Sequence, residues 1–548
     1  MRSIAGREKL DDHGRWSRGT VLRPGKEMYK TMLEKMRKKE HGNAKNTDHA
    51  GRKKESLRLI AAVALCRLTR QALRRMHSGG TALPGVLAMK LQGDLLKEVS
   101  RGMETFIVTG TNGKTTTARM LEHALEASGR EVVANRSGAN LLSGVTAEFA
   151  SAADWRGRPT KRYAVIECDE GALHLVTPLV RPKMILVTNL FRDQLDRYGE
   201  VMHTLEAVRS GIREAPDAVL CLNADDSLTA SLAQNVPNPV AWFGLEEGCA
   251  EKGIGKGKSD VGNDGEAADE NGDPGDARYC IRCGTKYRYH YHTFAHLGGF
   301  YCPCCGYSRP EPDVAVTSID CISAEGTDVH VAVRESGLVR VTDAEYGPGT
   351  LQGSDAEPVR MRIGTPALYN VYNAAAALCA CAAAGYPISE TIASLGEAAG
   401  TFGRMETFDL DGVRVQMILV KNPAGCNQAI DYLCSLSKPF NAVLCLNDLD
   451  ADGHDVSWIW DAHYEKLCSE SLVRSMCVWE RRAGDMQLRL KYAGAQENRI
   501  RCAKDLRRLL WWIRKSGVPV FILPNYTTML PLRDALRKAS GREEFWKG

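Results

Sequence analysis

A single strand–loop–helix segment constrains this chain more than any other part of its sequence. Residues 105–117 form the run Thr-Phe-Ile-Val-Thr-Gly-Thr-Asn-Gly-Lys-Thr-Thr-Thr, and an amphipathic helical pattern follows it directly. The backbone N–H groups of such a loop, together with the N-terminus of the helix, can surround a polyphosphate. Lys114 can then reach the outer phosphate oxygens, and Thr115 can ligate Mg²⁺. The segment therefore predicts a binding site for a nucleoside triphosphate.

The loop departs from the general P-loop pattern, because its first glycine is Gly110 and Val108 occupies the position five residues before Gly113. It is a shortened variant of that pattern. The alternative is a Gly/Thr-rich turn that only joins a strand to a helix, and the Lys114-Thr115 pair at the expected offset argues against it. The predicted nucleotide contacts are Gly110, Thr111, Asn112, Gly113, Lys114, Thr115 and Thr116.

Length and composition indicate a multidomain protein of the reducing cytoplasm. A chain of 548 residues exceeds the size at which single cores stop growing, so we expect two main domains and an insertion. The net charge of +5 is small and does not by itself indicate nucleic-acid binding. The start of the chain is polar and basic and lacks the apolar segment of a secretory signal. The 18 cysteines are therefore expected to be metal ligands where they cluster and core residues where they are scattered.

The N-terminal region divides into an arm and a helix. Residues 1–56 carry more basic than acidic side chains and little apolar pattern, which predicts a disordered, solvated arm. Residues 57–76 have a helical pattern that arginines interrupt too often for a bilayer span. Such a basic amphipathic helix can lie on a membrane surface or pack on a neighbouring domain, and packing is favoured.

Buried strands that alternate with helices predict a parallel, doubly wound sheet in a central domain at residues 57–400. One of these strands, residues 163–167, ends in a group of acids: Glu167, Asp169 and Glu170. Because the carboxyl ends of parallel strands share one edge of the sheet, these acids should lie beside the triphosphate loop.

A cysteine cluster interrupts this central domain. Residues 246–277 are too polar to fold alone and are predicted to be a disordered insertion. The ribbon predicted at residues 278–310 has the spacing C-x₂-C-x₁₈-C-x₂-C, which lets four thiolates close on one tetrahedral Zn²⁺. The predicted ligands are Cys280, Cys283, Cys302 and Cys305, with Cys304 as a spare thiol. A structural zinc ion is favoured, and the basic-aromatic patch at residues 287–289 is too small to favour nucleic-acid binding.

The remainder of the chain adds an Ala-rich helix and a second α/β unit at residues 401–548. Asn370 and Asn373 stand three residues apart on that helix, either as helix caps or as nucleotide contacts. In the second unit, an aspartate-rich segment at residues 448–461 follows a buried strand. Calcium binding is disfavoured there because Ile459 stands where an EF-hand loop requires glutamate.

Several of these motifs together resemble the Mur ligase family of ATP-dependent amide-bond synthetases. The resemblance is carried by residues 109–117, residues 189–199, the Asn370/Asn373 helix and Gly403-Arg404-Met405-Glu406. The cysteine cluster and the segments 421–427, 448–461 and 485–494 are similar, within that family, to the ligase subunits of lipid II isoglutaminyl synthase. The resemblance extends from about residue 57 to the C-terminus. It implies a Mur-type central P-loop domain with an inserted Cys₄ ribbon, followed by a Rossmann-like α/β domain.

The resemblance also implies an activity. ATP would phosphorylate the α-carboxyl group of D-glutamate in the lipid II stem peptide, and ammonia would displace the phosphate to give D-isoglutamine. By similarity, Asn370, Asn373 and Arg404 would contact the nucleotide. Lys114 would stabilise the transferring phosphoryl group, and Mg²⁺ would lie on Thr115 and Glu167, with Asp169 and Glu170 as rivals to Glu167.

The chain departs from the wider family at the expected second metal site. Other Mur ligases have a histidine where Gln194 stands here, and a carbamylated lysine further on, where this chain has Val208 followed by Arg209. Neither Val208 nor Arg209 can replace that lysine. The departure fits an enzyme whose nucleophile is ammonia and not an amino acid.

Ammonia requires a source, and the chain has no evident glutaminase nucleophile of its own. The resemblance implies a GatD-like glutaminase partner subunit, to which this chain would lend an aspartate that completes a catalytic triad. Asp455 is the preferred candidate, ahead of Asp452 and Asp461. The resemblance also implies action on lipid II at the inner face of the plasma membrane.

Two further hypotheses stay open at the level of sequence. One is a stand-alone Mur-type ligase that adds an amino acid, which the missing lysine disfavours. The other is a P-loop NTPase with a nucleic-acid-binding zinc ribbon, which predicts turnover stimulated by RNA or DNA with a steep salt dependence.

Overall fold

A computed structural model describes residues 49–75, 82–136, 138–192, 201–250, 276–323, 325–334, 357–397 and 404–541. Only the backbone is described at residues 49–55, 74 and 404. The predicted domain boundary at 400/401 and most of the predicted 246–277 insertion lie outside these ranges.

The strands are β1 (Glu104–Thr109), β2 (Val132–Ala134), β3 (Tyr163–Glu167), β4 (Met184–Val187), β5 (Val219–Asn223), β6 (Val240–Leu245), β7 (Arg288–Phe294), β8 (Leu297–Tyr301), β9 (Val314–Ser323), β10 (Gly326–Val333), β11 (Val359–Ile363), β12 (Arg404–Leu410), β13 (Val413–Ile418), β14 (Phe440–Cys445), β15 (Val473–Trp479), β16 (Ile500–Cys502) and β17 (Val520–Leu523).

The α-helices are α1 (His49–Arg75), α2 (Leu83–Leu91), α3 (Leu95–Val99), α4 (Lys114–Ala127), α5 (Leu142–Ala152), α6 (Leu173–Val180), α7 (Val201–Arg213), α8 (Ser227–Ala230), α9 (Glu247–Ala250), α10 (Leu368–Ala383), α11 (Ile388–Glu397), α12 (Pro423–Cys434), α13 (Tyr464–Ser469), α14 (Ala483–Tyr492), α15 (Leu506–Arg514) and α16 (Tyr526–Ala539). Short 3₁₀ turns occur at Ser231–Ala233, Ser457–Trp460 and Glu497–Arg499.

The larger sheet has nine strands in the order β11-β10-β9-β6-β5-β4-β1-β3-β2. In this sheet the neighbouring strands β9, β6, β5, β4, β1, β3 and β2 pair in parallel. Strands β10 and β11 add an antiparallel edge next to β9. Its two faces are covered by separate helices, because alternate strand residues point to opposite sides. Phe106 and Val108 belong to the core that includes α4 and α10, whereas Ile107 belongs to the core that includes α5 and α7. The predicted α/β class with a doubly wound parallel sheet is confirmed.

The second sheet has the order β12-β13-β17-β14-β15-β16. The β12–β13 hairpin is antiparallel, and the other pairs are parallel. Between β6 and β9, the antiparallel hairpin β7–β8 stands apart from both large sheets. The order of elements therefore places a small ribbon between strands of the larger sheet.

The first helix packs by one face only. Ala62, Val63 and Cys66 are buried in the core that includes α5, and the Arg70 guanidinium forms an ion pair of 2.8 Å with Glu148 on α5. This packing agrees with the favoured alternative for the basic helix. The helix begins at His49, so residues 49–56 belong to it and not to the predicted arm. No helix in the described part of the chain is long and apolar enough to cross a membrane.

Candidate functional site

The loop between β1 and α4 is shaped by two glycines with positive φ. Gly110 has φ +116° and Gly113 has φ +85°, values that side chains with a Cβ rarely adopt. The loop is held by the segment after β4: the Thr111 N–H donates to the carbonyl oxygen of Asn189 at 2.8 Å, and the Asn112 N–H donates to Asn189 Oδ1 at 2.9 Å. The first N–H groups of α4 have no acceptor within their own helix. This arrangement is suited to binding an anion.

Lys114 lies at the start of α4 in a strongly acidic environment. Its Nζ donates to the carbonyl oxygen of Gly110 at 2.5 Å and forms an ion pair of 2.9 Å with Glu170. Burial disfavours the charged ammonium, but the nearby carboxylates of Glu170, Asp169 and Glu167 outweigh it and raise the pKa of Lys114. The lysine therefore remains a cation at neutral pH, as phosphate binding requires.

The three acids after β3 have different partners. The Thr115 hydroxyl donates to Glu167 Oε2 at 2.6 Å, and Asn140 Nδ2 donates to Glu167 Oε1 at 3.2 Å. Glu170 instead pairs with Lys114, and Asp169 Oδ1 accepts the N–H of Gly171 at 3.0 Å. Glu167 is thus the acid that lies against the predicted magnesium ligand Thr115.

Asn370 and Asn373 lie on α10, directly behind the loop. Asn373 Oδ1 accepts from the Thr117 hydroxyl at 3.2 Å, and Asn373 Nδ2 donates to Asn370 Oδ1 at 3.0 Å. A Cβ atom at Gly113 would lie 2.1 Å from Asn373 Oδ1. Both asparagines are buried, and α10 thereby fixes the loop in place. The side chain of Arg404 lies outside the described part of the structure.

A cavity of about 580 Å³ joins this loop to the second sheet. On the far side it is lined by residues that follow strands of that sheet: Lys421, Asn422, Asn447, Asp452 and Asn525. Asn422 Nδ2 donates to Asn112 Oδ1 at 3.1 Å, and Asn422 Oδ1 caps α12 by accepting the Gly425 N–H at 2.9 Å. The site is therefore formed between the two α/β units. Sequence reasoning did not single out Asn422, Asn447 or Asn525, although each follows a strand of the second unit.

The three candidate triad aspartates occupy different environments. Asp452 is buried, lines the cavity and accepts the Thr527 N–H at 2.9 Å; burial raises its pKa. Asp461 forms an ion pair of 2.6 Å with Arg192 of the first unit. Asp455 lies outside the cavity lining and accepts the N–H of Ser457 at 2.8 Å; the hydrogen bonds from Ser457 lower its pKa.

The cysteine cluster forms at one end of the β7–β8 hairpin. The Sγ atoms of Cys280, Cys283, Cys302 and Cys305 lie within 4.8 Å of one another. Each Cys-x₂-Cys pair lies on its own tight turn, and the two turns have the same hydrogen bond. The Gly284 N–H donates to the carbonyl oxygen of Cys280 at 2.8 Å, and the Gly306 N–H donates to that of Cys302 at 3.1 Å. Four thiolates this close match a tetrahedral metal site. Cys304 is exposed and outside the cluster.

The ribbon is attached to the first α/β unit, which contains the nine-stranded sheet, through a buried aspartate that sequence analysis missed. Asp225 follows β5 and is fully buried; its Oδ1 accepts from Arg309 Nε at 2.7 Å, and its Oδ2 accepts from the Tyr372 hydroxyl at 2.6 Å. Tyr372 lies on α10, next to Asn373. Tyr287, which belongs to the basic-aromatic patch at residues 287–289, is buried against Phe300 in the ribbon core.

Two of the three residues that mark the departure at the expected second metal site lie in the described part of the chain. Gln194 lies outside the described residues. Val208 is buried in the core of the larger sheet, and Arg209 pairs with Glu206 at 3.1 Å.

Comparison with families and relatives agrees with this architecture. The Mur ligase middle domain profile matches residues 108–262, and the MurT ligase C-terminal profile matches residues 419–529. The MurT subunit of lipid II isoglutaminyl synthase from Streptococcus pneumoniae is 31% identical over 85% of this chain and 94% of its own length. The corresponding Staphylococcus aureus subunit is 30% identical over 88% of this chain and 99% of its own.

Solved structures of the same fold are more distant in sequence. A pseudomurein peptide ligase type C from Methanothermus fervidus has a TM-score of 0.55 and 18% identity, covering 80% of this chain and 79% of its own. MurF ligase from Thermotoga maritima, solved in complex with ADP, has a TM-score of 0.53 and 14% identity, covering 84% of both chains. These similarities concern the fold.

Proposed function

Because the chain belongs to the MurT family of Mur-type ligases, we propose that it amidates the α-carboxyl group of D-glutamate in the stem peptide of lipid II. Ligase activity in peptidoglycan synthesis follows from the family itself. The observation that carries the more specific proposal is the placement of Lys114, Thr115 and Glu167 on one cavity that the second α/β unit also lines.

The reaction proceeds in two steps. A carboxylate oxygen of the substrate attacks the terminal phosphorus of ATP, the bond to the bridging oxygen breaks, and ADP leaves with the electron pair. The lone pair of ammonia then forms a bond to the acyl carbon while the carbon–oxygen bond to phosphate breaks. The departing phosphate takes up the proton that the nitrogen loses. The Lys114 ammonium and the N–H groups at the start of α4 stabilise the charge that develops on the transferring phosphoryl group.

The donor sets on the chain fit the two metals that the family implies. The Thr115 hydroxyl and the Glu167 carboxylate, 2.6 Å apart, offer the hard oxygen ligands that Mg²⁺ prefers. Bound there, Mg²⁺ would reduce the negative charge of the phosphate oxygens. The four clustered cysteines would hold a structural Zn²⁺.

Ammonia comes from a GatD-like glutaminase subunit, and Asp455 orients the catalytic histidine of that partner. The position of Asp455 outside the cavity lining, beside the Ser457–Trp460 turn, supports a role towards a partner. Its lowered pKa keeps the carboxylate ionised, as a histidine-orienting group requires. The substrate is reached at the inner face of the plasma membrane.

The proposal is tested by incubating the co-purified subunits with lipid II, ATP and glutamine and weighing the stem peptide by mass spectrometry. The expected product shows the mass change for replacement of a hydroxyl by an amino group. Lys114→Ala should lower the rate about a hundredfold or more, because the charge on the transferring phosphoryl group loses its cation.

The matched control is Lys90→Ala, which removes an exposed lysine on α2 and should leave the rate unchanged. Product formation by Lys114→Ala at the wild-type rate would contradict the assignment of the loop. Incorporation of an amino acid in place of ammonia would show a stand-alone ligase.

A further inference from the structure

Among the described residues that line the cavity, three have a buried side-chain atom without a hydrogen bond: His123 Nδ1, Thr365 Oγ1 and Asn447 Oδ1. Of these three, only Asn447 belongs to the second α/β unit. Asn447 follows β14, lines the cavity and is 5% exposed. Its side-chain oxygen, Oδ1, is buried and has no hydrogen-bond partner among the residues that the structure describes. Leaving a buried acceptor unpaired is costly, so such an atom in a binding cavity indicates a ligand that donates to it.

The orientation of this amide is fixed by its neighbours. The carboxylate of Asp452 accepts the Thr527 N–H at 2.9 Å, a backbone hydrogen bond from Tyr526 and the Thr527 hydroxyl. Burial raises the pKa of Asp452, and these donors act in the opposite direction; in the structure the Asp452 carboxylate accepts all three hydrogen bonds. The Thr527 hydroxyl has therefore used its single hydrogen on Asp452. Its oxygen must accept from Asn447, and the Asn447 Nδ2 donates to it at 3.0 Å.

The backbone of Asn447 is held as well. Asn525 Nδ2 donates to the carbonyl oxygen of Asn447 at 2.9 Å, and Asn525 Oδ1 in turn accepts from the Thr528 hydroxyl at 2.8 Å. The Asn447 amide cannot rotate by 180° without losing its hydrogen bond to Thr527, because Oδ1 would then face the Thr527 oxygen in place of Nδ2. The acceptor is thus preorganised by the start of α16 before any ligand arrives.

We propose that Asn447 Oδ1 is the acceptor that holds ammonia for attack, an inference that rests on the proposed function. Ammonia has three N–H donors and one lone pair, so a hydrogen bond to Oδ1 leaves the lone pair free. A neutral amide oxygen suits this task better than a carboxylate, which would favour the ammonium ion, a species with no lone pair. The carboxylate of Asp452, which shares Thr527 with this amide, is already engaged with Thr527 and Tyr526. Asp452 and Thr527 act as positioning residues for the amide.

The test uses the complete complex supplied with ammonium chloride at fixed pH, with lipid II and ATP saturating, and measures amidation by mass. Asn447→Ala should raise the KM for ammonia about three- to tenfold, the effect of losing one neutral hydrogen bond, while the KM for ATP stays unchanged. Thr527→Val should raise the KM for ammonia by a smaller factor, because it frees the amide to rotate without removing it. This second variant preserves the test if Asn447→Ala fails to fold.

Asn441→Ala is the matched control. Asn441 lies at the opposite end of β14, is 6% exposed, donates to Ser516 at 2.9 Å and also has an unpartnered Oδ1, but it does not line the cavity. It should leave the KM for ammonia unchanged. An unchanged KM for ammonia in Asn447→Ala, or a rise confined to the KM for ATP, overturns the inference. A wild-type complex that amidates no lipid II at any ammonia concentration overturns the proposed function itself, and the inference with it.

Discussion

At the scale of single residues, the nucleotide loop depends on a position that only glycine fits. Gly113 has φ +85°, and its Cα faces the side chain of Asn373 so closely that a Cβ would lie 2.1 Å from Oδ1. The positive φ and the close approach are separate constraints. A substitution at this position therefore alters both the backbone of the loop and the packing of α10 behind it.

Gly113→Ala should weaken ATP binding about tenfold or more, because the strain of a left-handed alanine, roughly 1–2 kcal/mol, adds to the displacement of Asn373. Equilibrium binding of a nucleotide analogue measures this effect. The control is Gly129→Ala: Gly129 follows the same helix with φ +76°, and nothing lies within 4 Å of its would-be Cβ. Equal affinities in the two variants would show that contact with Asn373 is unimportant.

At the scale of elements, the ribbon and α10 are coupled through one aspartate. Asp225 is hydrogen-bonded to Arg309, near the end of the ribbon, and to Tyr372 on α10. The Thr293 side chain of β7 also contacts the Tyr372 hydroxyl, with 2.7 Å between the two oxygens. The same helix carries Asn373, which contacts the nucleotide loop. Loss of order in the ribbon is therefore expected to loosen the wall behind the loop.

Cys283→Ser should abolish zinc binding, from about one equivalent to near zero, and lower the melting temperature by several degrees, roughly 5 °C. The reason is that a tetrahedral thiolate site loses one of its four ligands. Metal analysis and thermal unfolding measure the two effects. Cys304→Ser removes an exposed cysteine on the other turn of the ribbon, between Cys302 and Cys305 but outside the cluster, and should retain both properties. Zinc retained in Cys283→Ser would contradict the assigned ligand set.

At the scale of the whole molecule, one loop carries both residues of the cavity wall and the aspartate that we propose to face the partner subunit. The chain after β14 places Asn447 and Asp452 in the cavity wall, whereas Asp455 and Asp461 lie outside it. Arg192 joins the first unit to Asp461 at 2.6 Å, and its charge also contributes to the lowered pKa of Asp455, after the hydrogen bonds from Ser457. One short segment can therefore serve the ligase cavity on one side and a second subunit on the other.

Asp455→Asn should leave amidation from free ammonia within about twofold of wild type but lower amidation from glutamine about a hundredfold or more, because the histidine of the partner loses its orienting carboxylate. Rates with the two nitrogen sources are compared on the same co-purified complex. Asp461→Asn is the control and loses only the ion pair with Arg192. Equal loss with both nitrogen sources in Asp455→Asn, or selective loss in Asp461→Asn, would assign the triad role elsewhere.

The sequence alone predicted the features whose geometry is local. The loop from Gly110 to Thr115 and the paired Cys-x₂-Cys turns are contiguous segments, so spacing and residue type restrict their conformation directly. The alternation of apolar strands with helices likewise predicted the parallel sheet, because each crossover connection requires a helix. The start of α1 at His49 was missed, since its first turns have no apolar pattern.

Only the tertiary structure decided which distant side chains meet. Glu167 and not Glu170 lies against Thr115, Asn422 reaches Asn112 across the cavity, and Asn447 presents an unpaired oxygen because Thr527 has already donated to Asp452. These contacts join residues far apart in the chain, and they depend on how two sheets are placed against each other. Local pattern carries no information on that placement, since it is set by the packing of whole faces and by the pairing of polar groups that folding brings together.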